Sequence, residues 1–184
     1  MLGFNGGLIG KTRTTTLLAA TGVWTPNEQS IAKRDNIWPI IVTGYRHIRW
    51  TITATRTDVT FQASEFNLTN GASNIDMSGS TVTPSSGAGG GAGGEIANIK
   101  DNNTATKWNT SFSGTPISAF FDMGSVTTFT GYRWATANDV SGRDPVSWTV
   151  SGSLDNITYV LLDTQTNFAT TTDRQTYVGP FTFP

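Results

Sequence analysis

Apolar and polar residues alternate along most of the chain in short runs, the period of a half-buried strand. Ile48, Trp50 and Ile52 fall on one side of an extended segment over 45–54. Trp148 and Val150 do the same within 147–153, and further strands are predicted over 40–42, 59–68, 118–123, 130–136, 158–163 and 175–183. The Asp155-Asn156 pair marks a turn, and residues 85–94, SSGAGGGAGG, read as a flexible loop. Strands that recur with turn signals between them predict an all-β sandwich.

The first 39 residues break this pattern. Met1 to Thr21 is rich in glycine and threonine, has no sustained period, and cannot bury a core alone. One short helix is predicted over 25–35. Thr25 fits its N-cap, Pro26 its first position and Glu28 its capping-box acid, and Trp38-Pro39 ends it. Trp24 and Trp38 flank it and need a partner surface, on the sandwich or on another subunit. Residues 1–39 are therefore read as an extended assembly arm, and 40–184 as the β-sandwich.

Composition narrows the function classes. The 184 residues carry 12 basic and 13 acidic side chains, so the net charge of -1 gives no basic excess for nucleic-acid phosphates. Charged residues are only 14%, and threonine is the commonest residue at 32. Absent cysteine excludes thiolate chemistry and disulfides, and His47 alone cannot form a two-histidine relay. No apolar run approaches the roughly 18 residues of a membrane span, so membrane insertion is not expected. Gly10-Lys11-Thr12 looks like the end of a phosphate loop, but Asn5 stands where that motif's first glycine belongs. A nucleophile elbow is missing, and the acids sit mostly in turns beside Asn and Gly. No enzyme is expected.

Two segments are more specific. Residues 99–108, Ile-Lys-Asp-Asn-Asn-Thr-Ala-Thr-Lys-Trp, concentrate oxygen side chains that can face a hard cation, or equally build a bonded turn that seats Trp108. The other runs from Tyr132 to Asn156 and places Arg143-Asp144-Pro145 ahead of Trp148 and Gly152-Ser153-Leu154-Asp155.

Together these segments resemble the discoidin family, also called coagulation-factor C-type or galactose-binding-like domains. Asp101, Asn103, Thr106 and Trp108 match its Asp-Gly-Asn-x-x-Thr-x-Trp loop, and Arg143-Asp144-Pro145, Trp148 and 152–155 match its Arg-Asp-Pro-x-x-Trp and Gly-Ser-x-Asp elements. The resemblance implies a galactose-binding-like jelly roll, a binding role toward sugars or other surface ligands, and a structural Ca²⁺. The family's last two strands carry Tyr-x-Arg and Ser-Glu elements. Here their likenesses come first, at 45–54 and 63–68, so the resemblance implies a circular permutation over residues 43–184. By that register Glu65 joins Asp101, Asn103 and Thr106 as a calcium ligand.

The segment from Gly22 to Pro39 is similar to leader segments of bacteriophage virion proteins, tail and fibre components above all. The expectation is a virion structural protein, of tail-fibre or baseplate type, that forms a homo-oligomer. It meets other virion subunits through residues 1–39 and binds host-surface glycan through the sandwich. Asn109, Phe112, Asn138 and Asp139 are the candidate ligand contacts, while Arg143 and Asp144 are expected to hold the corner. A purely structural adaptor, collar or capsid decoration is the alternative, and a glycan depolymerase a lesser one.

Overall fold

The computed structural model describes residues 44–85 and 88–183. The 1–39 arm, its helix over 25–35, Trp24, Trp38, Gly10-Lys11-Thr12 and the 40–42 strand lie outside the described residues. Eleven strands follow: β1 (Tyr45–Thr55), β2 (Thr60–Ala63), β3 (Glu65–Asn70), β4 (Ser73–Asn74), β5 (Thr81–Pro84), β6 (Trp108–Ser111), β7 (Ile117–Thr127), β8 (Gly131–Ala135), β9 (Pro145–Ser153), β10 (Val160–Gln165) and β11 (Tyr177–Thr182). Among the described residues the helical segments are two 3-10 turns, Ile96–Lys100 and Ser141–Arg143.

The protein is an all-β sandwich. One antiparallel sheet has the order β10-β9-β1-β7-β5, a second has β11-β8-β3-β4, and β2 pairs with β6 in a small third sheet. β1 is central because it is long and alternates strictly. Ile48, Trp50 and Ile52 are fully buried on one face, while Arg49, Thr51 and Thr53 take the other. Its register runs through Trp50↔Ala119 on β7 and Trp50↔Val150 on β9.

The inner faces meet through aromatic rings. Trp50 on β1 stacks on Phe66 of β3 with centroids 5.1 Å apart, and Phe66 stacks on Phe121 of β7, also at 5.1 Å. Trp134 on β8 meets Trp148 on β9 edge to face at 5.6 Å. The Trp148 indole donates to the Tyr132 hydroxyl at 2.7 Å, which donates to the Asp163 carboxylate at 2.5 Å. Burial, helped by that carboxylate, pushes the Tyr132 hydroxyl up, so it stays a neutral donor. Gly152 is required where Tyr45 lies over it, because a Cβ there would sit 2.5 Å from the Tyr45 ring.

The expected strand over 59–68 is two strands in different sheets. Ser64 makes the break: its amide donates to the Ala135 carbonyl at 2.9 Å and its hydroxyl to the Thr136 carbonyl at 3.0 Å. The turn at Asp155-Asn156 is present, with Asn156 at φ 61°. Asp155 Oδ1 accepts from the Ile157 and Thr158 amides at 2.9 and 2.8 Å.

The Arg-Asp-Pro corner is built around Asp144, which is fully buried. Arg174 grips it with two donors at 2.9 and 2.5 Å, and an Arg56 Nη lies 3.8 Å away. Arg56 also donates to the Ser141 and Thr170 carbonyls, tying the corner to the 170 loop. Removing Asp144 takes away the one carboxylate in direct contact with both guanidiniums among the described residues. Asp144→Ala is expected to cost about 3 kcal/mol, read as a lower urea midpoint at unchanged slope. In the acid range, Asp155 is held down to about 2 by the Thr158 and Ile157 amides, and Asp122 to about 2 chiefly by its Arg46 hydrogen bond. Both carboxyls are depressed on folding. Their contribution is complete above an unfolded value of about 4 and is lost as pH falls through 2. The melting temperature should fall over that window, and Asp155→Asn should shallow the fall.

Candidate functional site

Two places bring chemistry-bearing side chains together. The first is the loop after the Ile96–Lys100 turn. Asp101 organises it: Oδ1 accepts from the Asn103 amide at 2.9 Å and Oδ2 from the Thr106 hydroxyl at 2.7 Å. Asn102 adopts φ 61°, a left-handed conformation that asparagine tolerates. Asn103 Oδ1 accepts from the Ala105 amide at 3.0 Å. These bonds turn the chain sharply and deliver Trp108 into the core, where its indole donates to the Ala88 carbonyl at 2.8 Å.

Glu65 lies beneath this loop, fully buried at the start of β3. Its Oε1 accepts from the Asn103 amide at 2.8 Å, while Oε2 is buried with no hydrogen-bond partner. Burial first, and then the neighbouring Asp101 carboxyl, push the Glu65 carboxyl up to about 8. Two carboxyls thus face each other with one oxygen unsatisfied. The structure therefore brings Asp101, Asn103, Thr106 and Glu65 into one cluster. No group of three or more His, Cys, Asp or Glu occurs among the described residues, so any cation here would draw on neutral oxygens as well.

The second place is an open cavity of about 200 Å³ lined by Gly91, Ala92, Gly93, Gly94, Lys107, Asn109 and Arg143. Lys107 reaches it from the residue before β6. Its ammonium donates to Asp139 Oδ2 at 2.6 Å and to Gln62 Oε1 at 3.5 Å. Burial works against the Asp139 charge, but Lys107 and the Val140 amide outweigh it and hold that carboxyl low. Arg143 enters from the Ser141–Arg143 turn, with Nε 3.3 Å from Asp58 Oδ2. The glycine run forms the opposite wall. Gly94 and Asn109 share a backbone hydrogen bond of 2.9 Å, and a Cβ on Gly94 would lie 3.0 Å from that of Asn109. Gly93 has φ 77°, which a larger residue rarely adopts.

The expected ligand contacts separate. Asn109 lines the cavity and Asp139 orders its lysine from the exposed rim. Asn138 is exposed beside Asp139. Phe112 is a correction: it is 6% exposed within the hydrophobic core, so its ring offers no face to a sugar. A period-two pattern assigns no direction at a strand end, and the core claimed that ring. The Arg143-Asp144 pair also divides, since Asp144 holds the corner while Arg143 faces the cavity. Lys107, Gln62 and the glycines were not singled out from the sequence as contacts, because only the fold brings 62, 91–94, 107 and 143 together. His47 is nearly buried, with Nδ1 3.9 Å from Asp122.

Comparison with family models, with curated proteins and with solved structures found no match to this chain.

Asp101→Ala removes two hydrogen bonds that shape the 101–106 turn. In the presence of a chelator it is expected to cost about 1–2 kcal/mol, measured by urea denaturation, because the Thr106 hydroxyl and Asn103 amide keep other partners.

Proposed function

We propose that the sandwich is a non-catalytic carbohydrate-binding module of a virion structural protein, related to discoidin domains by circular permutation. The observation that carries the binding role is the cavity beside β6. Its side chains, Lys107, Asn109 and Arg143, are hydrogen-bonding groups, with Lys107 held by Asp139 and Gln62 and Arg143 by Asp58, chemistry that suits a polar ligand. At about 200 Å³ it suits one sugar ring of a larger glycan. No carboxyl lines it, and Asp58 and Asp139 behind it are tied to cations, so the acid pair of a glycosidase is not supported. Weak single sites gain strength when several copies act on one particle.

The permutation is supported by where the early strands lie. β1 and β3 are interior strands of their sheets, each hydrogen-bonded on both sides. Tyr45 and Phe183 pack on the same Phe129 ring, with centroids 6.2 and 5.5 Å from it, so a short link could join the two ends of the sandwich in an unpermuted relative. The virion assignment rests on the similarity of residues 22–39 to phage leader segments, and with it the assembly of this chain into a homo-oligomer against other virion subunits.

A structural Ca²⁺ fits the Glu65 cluster. The unpartnered, buried Oε2 of Glu65 and the adjacent Asp101 carboxyl supply the charge, and Asn103 and Thr106 add neutral oxygens. Bound there, the ion would take the place of the proton that burial keeps on Glu65 and would stiffen the loop that leads through Lys107 to the cavity.

Two measurements on the full chain test this reading. Calcium at ten times a dissociation constant of about 1 mM should stabilise by about 1.4 kcal/mol, or roughly 3–5 °C in melting temperature, and Glu65→Gln should abolish that shift. A glycan array should show binding. A blank array together with tight incorporation into particles would replace the binding role with a purely structural one, and release of reducing sugar would overturn the non-catalytic assignment.

A further inference from the structure

The cavity beside β6 has a one-sided chemistry. Its side chains are an ammonium, a guanidinium and one amide, and the acids that neutralise the two cations, Asp139 and Asp58, are absent from its lining. Lys107 is pinned from behind. Asp139 takes one of its protons, Gln62 accepts from it at 3.5 Å, and Gln62 is itself fixed by donating to the Val140 carbonyl at 2.7 Å. Arg143 differs. Among the described residues its guanidinium donates through Nε alone, to Asp58 at 3.3 Å, and its side chain is 29% exposed. Its two Nη groups can grip a carboxylate end-on with two parallel hydrogen bonds, as those of Arg174 grip Asp144. The glycine wall does not compete for that ligand with donors of its own at two positions. The Gly93 amide is taken by Glu95 at 3.0 Å and the Gly94 amide by the Gly91 carbonyl at 2.8 Å. Among the described residues no aromatic ring lines the cavity, so they offer no stacking on an apolar sugar face there. Recognition falls to charge-assisted hydrogen bonds.

We propose that the cavity selects acidic sugars, with the Arg143 Nη pair binding the ligand carboxylate while Lys107 and Asn109 take ring hydroxyls. The proposal rests on the carbohydrate-binding reading above and names the class of sugar. Asp58 tempers the site, since it draws the guanidinium to one side. An Asn at 58 would keep the Oδ1 acceptor that holds the Thr60 amide at 3.0 Å and release the arginine.

The test uses the full chain and three probes: methyl β-D-glucuronide, methyl β-D-glucoside and inorganic sulfate, titrated by ligand-observed NMR. The glucuronide is expected to bind at least tenfold more tightly than the glucoside. Arg143→Gln should weaken the glucuronide about tenfold and leave the glucoside within about twofold. Arg143→Lys should recover only part of the loss, and Asp58→Asn should tighten the glucuronide about two- to threefold. The Asp58 and Arg143 variants break the same ion pair yet are expected to move affinity in opposite directions, which damage to the fold would not do. Equal binding of the two glycosides, unaffected at position 143, would overturn the acidic-sugar proposal and leave the carbohydrate-binding reading standing. Sulfate competing as well as the glucuronide would also overturn it, as a pocket for any anion. Binding of neither glycoside, with a blank glycan array, would remove the carbohydrate-binding reading and this proposal together.

Discussion

The contact between Trp50 and Phe66 decides how the two large sheets sit on each other. Trp50 lies mid-way along the central strand of one sheet, and Phe66 on an inner strand of the other. Around them Phe61, Phe121, Tyr132, Trp134 and Trp148 complete a buried aromatic layer. Rings of this size fill the gap between sheets with few side chains, which suits a chain so rich in threonine and glycine. Each fully buried ring carries a large apolar area, and truncating one to alanine in such a core costs about 3–5 kcal/mol. The layer therefore sets the sheet spacing, and the loops inherit their positions from it.

Polar groups inside this layer are handled unevenly. The Trp148–Tyr132–Asp163 chain is satisfied and directional, and Asp144 is matched by arginines. By contrast the indole nitrogens of Trp50 and Trp134, the Nε atoms of Arg49 and Arg133, both polar atoms of the Asn67 side chain and Glu65 Oε2 have no hydrogen-bond partner among the described residues. A neutral indole nitrogen costs little beside a carboxylate oxygen, because desolvation rises steeply with charge. Burial therefore keeps the Glu65 carboxyl protonated up to about 8, and this acid underlies the loop that carries Asp101. The same loop ends at Lys107 and Trp108, so the buried carboxyl, the core and the cavity are linked within one short stretch of backbone.

At the cavity, two ion pairs fix the cationic side chains. The Lys107–Asp139 and Arg143–Asp58 pairs tie the residue before β6 and the segment before β2 to the 139–143 corner. Partly exposed ion pairs of this kind contribute little to folding. Their main effect is orientation, since each holds a long cationic side chain in one place.

The all-β class and the positions of most strands were legible in the sequence, because a period of two and a composition rich in threonine and aromatics are local properties. Strands β4, β5 and β6 escaped, being two to four residues long, too short for alternation to show. The 59–68 segment read as one strand because it is extended throughout, and nothing local shows that Ser64 passes the chain from one sheet to another. The Asp101–Thr106 turn was visible, since its hydrogen bonds span five residues. That Glu65 lies beneath it came from a family likeness and not from spacing. Of the cavity only Asn109 was legible: residues 91–94, 107 and 143 meet only in the folded chain. Sequence alone determined what each segment could be, since backbone propensity and alternation act within a few residues. Tertiary structure decided which side chains meet, turning Phe112 inward and Arg143 outward, because burial is a property of the whole packing and not of any one strand.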